Sequence, residues 1–205
     1  MVERQLRARG IADERVLAAM GEVPREHFVP SPLRNRAYDD SALPIHEEQT
    51  ISQPWIVAAI SQALALEGSE LVLDVGTGSG YSAAVLSRLA DHVVTIERHE
   101  ALFRTAREML VGLGFDNVET VLGDGSLGVP ARAPFDAIAV HATAPAPPQA
   151  LLDQLAGGGR LVVPLDAGDA DVLTLYRRRG ESLEAEPITP CRFVRLIGEG
   201  GFAGN

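Results

Sequence analysis

The chain has 205 residues, of which 46% are hydrophobic and 22% charged, a composition that predicts a single soluble globular domain. Its net charge of -10 disfavours a nucleic-acid partner, and its one cysteine, Cys191, excludes an intrachain disulfide and suits a reducing compartment. Because the sequence contains neither an apolar run of bilayer length nor a secretory signal, we expect a cytoplasmic protein without a membrane partner.

The first third of the chain is predicted to form helices around a proline-rich connector. A short helical segment ends at Gly10, and another begins after Asp13, a favourable N-cap residue, and ends at Gly21. The next helix spans about residues 54–66, where Pro54 is tolerated because the first amides of a helix have no partner within it.

Short apolar runs rich in branched side chains alternate with segments of helical length in the centre of the chain. This alternation is typical of a parallel sheet with helices on both faces. The predicted strands are LVLDV (71–75), HVVTI (92–96), NVETV (117–121), FDAIAV (135–140) and RLVVPL (160–165).

The end of the chain breaks this alternation. No helix separates the final segments DVLTLYRRRG, ESLEAEPITP and CRFVRLIGE, and the run from Arg177 to Gly180 is predicted to be a hairpin turn. We therefore expect the sheet to finish with antiparallel strands.

The stretch LVLDVGTGSGY joins the first predicted strand to a helix through a glycine-rich loop. Gly76, Gly78 and Gly80 permit positive φ angles and let a ligand approach the backbone, beside a helix N-terminus that favours an anion. The alternative is a tight strand-to-helix turn that binds no ligand.

Acidic residues follow three successive strands: Asp74, Glu97 and Asp124. Each alone could be a solvated loop residue or a helix cap, but Glu97 stands where a carboxylate accepts hydrogen bonds from ribose hydroxyls in doubly wound folds. Together they suit a ligand with an ammonium group, a ribose and an adenine amine. The loop lacks the last glycine of the dinucleotide motif, since Tyr81 takes that position. These features favour S-adenosylmethionine over NAD as the cofactor.

Ser52 lies near the end of the polar run HEEQTISQ (46–53), just before the predicted helix. On the bare sequence it is a plausible helix cap, and a hydroxyl there could also bind an anionic substrate beside the helix amides. The five histidines lack metal-ligand spacing, so we predict no metal site. His141, at the end of a predicted strand, is a candidate substrate contact.

Several stretches together resemble the protein-L-isoaspartate (D-aspartate) O-methyltransferase family. They are VERQLRARGIADERVLAAMGEVPREHFVP, AYDDSALPI, QTISQP, VLDVGTGSGY, GDG, APFDAI, GGGRLVVPL and RFVRLIGEGG. The resemblance implies a class I S-adenosylmethionine-dependent methyltransferase, with a Rossmann-like, doubly wound, mostly parallel seven-stranded sheet, an antiparallel last strand and an N-terminal helical segment. It also implies methylation of the free α-carboxyl of L-isoaspartyl residues in damaged proteins and peptides, which initiates repair through a succinimide.

By this resemblance Ser52 is the catalytic residue, and residues 49–52 form a wall of the site. The matching cofactor-binding positions are Gln49, Thr50, Asp74, Gly76, Thr77, Gly78, Gly80, Glu97, Asp124 and Gly125. The expected substrate contacts are Ile51, Ser52 and His141. We expect one domain over residues 1–205, with a helical substrate segment of about 1–66 and a cofactor-binding sheet of about 67–205, and we favour a monomer.

Three departures from the family pattern involve four residues. His46 and Glu48 replace the two glycines of Pro-Ile-Gly-x-Gly-Gln-Thr, His141 stands where a small or hydroxylated residue is expected, and Arg195 replaces a proline. The first two departures lie near the expected substrate path and bear on substrate choice.

The chemistry of methyl transfer to a carboxylate requires little from the protein. The carboxylate is already ionised at neutral pH, so alignment and exclusion of water replace a general base, and a Ser52 hydroxyl that orients one oxygen would suffice. Two alternatives use the same features: an O-methyltransferase of the same fold acting on aspartate of a specific peptide or on a small carboxylic acid, and a non-catalytic adaptor that binds damaged peptides.

Overall fold

A seven-stranded sheet runs through the middle of the computed structural model, which describes residues 1–204. A two-stranded ribbon stands apart from it. Over the described residues the strands are β1 (Leu43–Pro44), β2 (Thr50–Ile51), β3 (Leu71–Val75), β4 (His92–Glu97), β5 (Val118–Leu122), β6 (Phe135–Val140), β7 (Leu155–Asp166), β8 (Asp171–Arg179) and β9 (Ser182–Cys191).

The strand order across the large sheet is β5-β4-β3-β6-β7-β8-β9. Neighbouring strands from β5 to β7 pair in parallel, whereas β8 pairs antiparallel with β7 and the last strand, β9, antiparallel with β8. The predicted fold class, a mostly parallel doubly wound sheet with an antiparallel end, is therefore confirmed.

Helices cover both faces of the sheet. They are α1 (Glu14–Glu22), α2 (Pro54–Leu64), α3 (Tyr81–Leu86), α4 (Glu100–Gly112) and α5 (Gln149–Asp153). In β3, Val72 belongs to the hydrophobic core on one face, while Leu73 and Val75 belong to the core on the other, as the twofold period of a strand requires. Within residues 1–204, no helix is both long and apolar enough to cross a membrane.

The helical front of the chain begins and ends close to the predicted residues. The Asp13 carboxylate caps α1 by accepting hydrogen bonds from the amides of Arg15 and Val16. The preceding turns end at Gly10, as predicted, but α1 continues one residue past Gly21. This segment packs into the same hydrophobic core as α2, α3 and one face of the sheet.

Two predictions for the end of the chain are wrong. The three arginines 177–179 remain in β8, and the tight turn falls on Gly180, whose φ is +62°. Residues 192–199 form no strand of the sheet within the described chain, since β9 carries Pro187 and Pro190, which lack the amides that a further strand needs. The segment instead crosses the carboxyl ends of the parallel strands, where the Thr143 amide donates to the Val194 carbonyl (2.8 Å).

Candidate functional site

A cavity of about 610 Å³ lies at the carboxyl ends of β3, β4 and β6. The strand order reverses between β3 and β6, and ligands of doubly wound folds bind at such a reversal. Most of the predicted site residues line this cavity: Gln49, Thr50, Ile51, Ser52, Gly76, Thr77, Gly78, Glu97, Gly125 and His141. Asp74, Gly80 and Asp124 lie outside the lining, and Gly80 instead packs against α4.

The glycine loop forms one wall of the cavity with its backbone. Gly76 has a φ of +93°, which glycine adopts readily and other L-residues do not. The amides of Gly76 and Thr77 donate to the Ile96 carbonyl (2.9 and 3.2 Å), and the Gly78 amide donates to Oε2 of Glu97 (2.9 Å). These bonds hold the loop against β4, so that its bare backbone borders the cavity.

Glu97 ends β4 as a buried carboxylate at the cavity wall. Its Oε1 accepts hydrogen bonds from the amides of Arg98 (2.8 Å) and His99 (2.9 Å), and its Oε2 accepts the one from Gly78. Because a carboxylate oxygen has two acceptor positions, Oε2 retains one for a ribose hydroxyl. This donor and acceptor set fits the ribose of S-adenosylmethionine.

Asp124 accepts hydrogen bonds from within the protein, whereas its neighbour Gly125 lines the cavity. Oδ1 of Asp124 accepts from the amide and hydroxyl of Ser126 (2.9 and 2.6 Å), and Oδ2 accepts from the Glu199 amide (2.8 Å). Burial raises the pKa of Asp124, but these hydrogen bonds outweigh it and the pKa lies below its ordinary value. At Gly125 a Cβ would lie 2.7 Å from Cγ1 of Val75, so only glycine fits there.

Asp74 lies fully buried behind His141. Its Oδ2 accepts a hydrogen bond from the Thr95 hydroxyl (2.7 Å), while its Oδ1, 3.0 Å from Nε2 of His141, has no hydrogen-bond partner within residues 1–204. The same Nε2 is 2.7 Å from Oγ of Ser82. His141 therefore borders the cavity at the end of β6, and Asp74 supports it from behind.

Residues 49–52 form another wall, built on the β1–β2 ribbon. Ile51 pairs with Leu43 across this ribbon, and the chain then enters α2. The prediction that Ser52 begins that helix is wrong: the N-cap is Gln53, and no side chain within the described residues caps the helix. Ser52, which lines the cavity, lies one residue too early to cap the helix, so its hydroxyl is free of that role.

The tip of the ribbon carries the first departure from the family pattern, His46 and Glu48 in place of two glycines. Glu47 (φ +59°) and Glu48 (φ +56°) both adopt the left-handed conformation that glycine favours. Oε2 of Glu47 lies 3.6 Å from Nδ1 of His99, and both residues line the cavity. Across residues 1–204, no three His, Cys, Asp or Glu side chains form a group that could hold a metal ion.

Two parts of the site were not predicted from the sequence. Residues 194–197 line the cavity, although their sequence indicated only a further strand. Arg25 is fully buried and donates from Nη2 to the Ser52 carbonyl (2.7 Å). Nothing in the stretch VPREHFVP distinguishes a buried arginine from an exposed one, so this contact could not be foreseen.

Comparison with known proteins gives consistent matches over the full length. A family model described as protein-L-isoaspartate(D-aspartate) O-methyltransferase matches residues 1–201. A protein-L-isoaspartate O-methyltransferase of Herpetosiphon aurantiacus is 51% identical over 203 residues, which cover 98% of this chain and 90% of the relative.

Solved structures agree with these sequence matches. A protein-L-isoaspartate O-methyltransferase superposes with a TM-score of 0.87 at 31% identity, covering 98% of this chain and 67% of that one. A β-aspartate methyltransferase from Plasmodium falciparum, in complex with S-adenosyl-L-homocysteine, superposes with a TM-score of 0.83 at 24% identity and 96% coverage of both chains, which supports the fold.

Proposed function

Because the chain belongs to the protein-L-isoaspartate(D-aspartate) O-methyltransferase family, we propose that it methylates the free α-carboxyl of L-isoaspartyl residues in damaged proteins and peptides. Methylation turns the carboxylate into an ester, so a backbone nitrogen can attack the ester carbonyl and lose its proton while methoxide leaves as methanol. This step closes a succinimide and begins repair. The observation that carries this proposal is the full-length family match on a chain whose Ser52 lines the cavity and does not cap α2.

S-adenosylmethionine supplies an electrophilic methyl group when bound. We propose that the backbone of Gly76 to Gly78 and the carboxylate of Glu97 hold it, and that Gly125, Gln49 and Thr50 complete the wall around it. The acceptor position left on Oε2 of Glu97 supports this assignment.

Ser52 is proposed to orient the substrate. Its hydroxyl would donate a hydrogen bond to one oxygen of the ionised α-carboxylate. The other oxygen is then free to form a bond to the methyl carbon as the carbon–sulfur bond of the cofactor breaks. Ile51 and His141 complete the substrate side of the cavity. No proton has to leave the nucleophile, since a carboxyl group is already ionised at neutral pH.

Relatives that are about 50% identical are named protein-L-isoaspartate O-methyltransferase, which favours repair over the two alternatives. These alternatives are methylation of aspartate or of a small carboxylic acid, and binding of damaged peptides without turnover. We further propose that the protein acts as a cytoplasmic monomer of one domain, 1–205. The free thiol of Cys191, the one cysteine of the chain, supports a reducing compartment.

Paired peptides that differ only in isoaspartate against aspartate test the function. Each is incubated with the protein and methyl-labelled S-adenosylmethionine, and the volatile methanol released from the ester is counted. Label from the isoaspartyl peptide alone is the expected result. Equal label from the aspartyl peptide would contradict repair, and cofactor binding without label would indicate the adaptor.

A further inference from the structure

Arg25 lies directly behind the wall that carries Ser52. Its side chain is fully buried, Nε donates to the Ala37 carbonyl (2.7 Å) and Nη2 donates to the Ser52 carbonyl (2.7 Å). The guanidinium carbon lies 4.6 Å from the centre of the Tyr81 ring, and both Tyr81 and Ser52 line the cavity. The cation therefore contacts two residues of the cavity wall, one of which is the proposed substrate contact Ser52.

This buried cation has no carboxylate to pair with among residues 1–204. Its Nη1 is buried without a hydrogen-bond partner in the same part of the chain. Burial lowers the pKa of Arg25, and the groups that oppose this are Tyr81 and Tyr38 rather than an acid. An arginine remains charged all the same, so a full positive charge lies in a medium of low dielectric.

Burying a charge is costly unless an opposite charge or a hydrogen-bond network compensates it. Exposed arginines of this chain have carboxylate partners even though burial does not demand them: Arg132 pairs with Glu119 and Arg179 with Glu184. At Arg25 the compensation consists of two carbonyls and an aromatic face, which leaves the charge only partly balanced.

We propose that Arg25 is a positioning residue whose counter-charge is the α-carboxylate of the substrate. It fixes the Ser52 backbone through the carbonyl and places a positive potential behind the Ser52 wall that favours an anion over a neutral group. This inference rests on the proposed function, because it assumes that the group bound beside Ser52 is a carboxylate.

The test compares an isoaspartyl peptide with the same peptide carrying an α-carboxamide in place of the α-carboxylate. Binding of both is measured by calorimetry in the presence of S-adenosylhomocysteine, for wild type, Arg25→Met and Arg25→Lys. We expect Arg25→Met to weaken binding of the carboxylate by about tenfold or more and that of the carboxamide by less than about threefold. Arg25→Lys, which keeps the charge, should retain most of the wild-type preference.

Arg15→Met is the matched control. Its guanidinium also donates only to backbone carbonyls, those of Leu66 (2.6 Å) and Leu89 (3.3 Å), but it lies away from the cavity lining. The control should lower stability and leave the preference for the carboxylate unchanged.

Equal weakening of both peptides by Arg25→Met would overturn the proposal and reduce Arg25 to structural support. If Arg25→Met does not fold, Arg25→Lys decides: a folded lysine variant that loses the preference also overturns it, and one that keeps the preference upholds it. The methanol assay tests the proposed function separately: that function fails if the wild-type protein releases no methanol from the isoaspartyl peptide.

Discussion

Ser52 combines a rigid backbone with a hydroxyl that the fold does not use for capping. The β1–β2 ribbon fixes the residue before it, Arg25 binds its carbonyl, and Gln53 takes the N-cap position of α2. A donor held in this way loses little entropy when it binds an anion, which is how preorganised sites gain their effect.

Ser52→Ala should therefore lower kcat by about 10- to 100-fold, the range expected for one hydrogen bond to a charged group. Binding of S-adenosylhomocysteine should change by less than about threefold, because the glycine loop and Glu97 are untouched. Steady-state kinetics and calorimetry measure the two quantities. Ser61→Ala, which removes a hydroxyl bonded within α2, is the control, and an unchanged kcat in Ser52→Ala would exclude the proposed role.

The role of a site residue could be predicted from the sequence where it follows directly from the residue's place at a strand end. Gly76 and Glu97 border the cavity because a strand end and the following turn always meet at one edge of a parallel sheet. Asp124, by contrast, is the N-cap of a short helical turn, which is the other common role of an acid after a strand. Arg25 was unpredictable because its partners Ala37, Ser52 and Tyr81 approach it only in the folded chain.

Among the elements, the tip of the β1–β2 ribbon holds two non-glycine residues in a left-handed conformation, which costs an L-residue about 1–2 kcal/mol. Glu48→Gly should raise the free energy of unfolding by up to about 1 kcal/mol, since relief of strain exceeds the entropy that glycine adds to the unfolded chain. Glu108→Gly within α4 should lower it by about 1 kcal/mol. Urea unfolding measures both, and a loss of stability in Glu48→Gly would show that the tip is unstrained.

The turn between α2 and β3 depends on one carboxylate. Glu70 accepts hydrogen bonds from the amides of Glu67 (2.7 Å), Gly68 (2.8 Å) and Ser69 (3.0 Å). Burial raises the pKa of Glu70, but the backbone hydrogen bonds outweigh it, so the folded pKa lies below the ordinary value of 4.5. A depressed pKa means that the contribution to stability is present above pH 4.5 and is lost as the pH falls through the folded pKa.

Glu70→Gln should accordingly lower the free energy of unfolding at pH 7 by about 1–3 kcal/mol, because an amide nitrogen would face the backbone donors. The difference in free energy of unfolding between variant and wild type should become smaller as the pH falls below 4.5. Denaturant unfolding from about pH 7 to about pH 3 checks this, with Glu67→Gln, an exposed acid in the same turn, as the control. A difference that stays constant over this range would contradict the prediction.

Strands were the elements best predicted from sequence, since β3 and β6 occupy the predicted residues 71–75 and 135–140. Both are buried on two faces, and a short, continuous apolar run bounded by turn residues is typical of such a strand. The tail 192–199 has similar composition but different neighbours. Its course over the cavity depends on contacts with Thr143 and with the Asp124 turn, which are distant in sequence.

At the scale of the whole molecule, the cavity joins segments from both ends and the centre of the chain: residues 47–52, the glycine loop and residues 194–197. A ligand that contacts all of them binds only the folded state and should stabilise it as a unit. At a free concentration of about 100 times Kd, S-adenosylhomocysteine should add about 2.7 kcal/mol, or about 5–10 °C in Tm for a domain of this size.

The variants Gly76→Ala and Gly168→Ala distinguish the loss of stabilisation by the ligand from the cost of backbone strain. The two glycines have φ of +93° and +90°, so alanine should cost about 1–2 kcal/mol at either position. Gly168 is exposed with nothing within 4 Å of an added Cβ, whereas at Gly76 the Cβ would lie 3.6 Å from Cβ of His141 in the cavity wall. Thermal unfolding with and without S-adenosylhomocysteine should show the full increase in Tm for Gly168→Ala and less than half of it for Gly76→Ala at equal ligand concentration. A full increase in both variants would mean that the cofactor does not depend on the backbone of this loop.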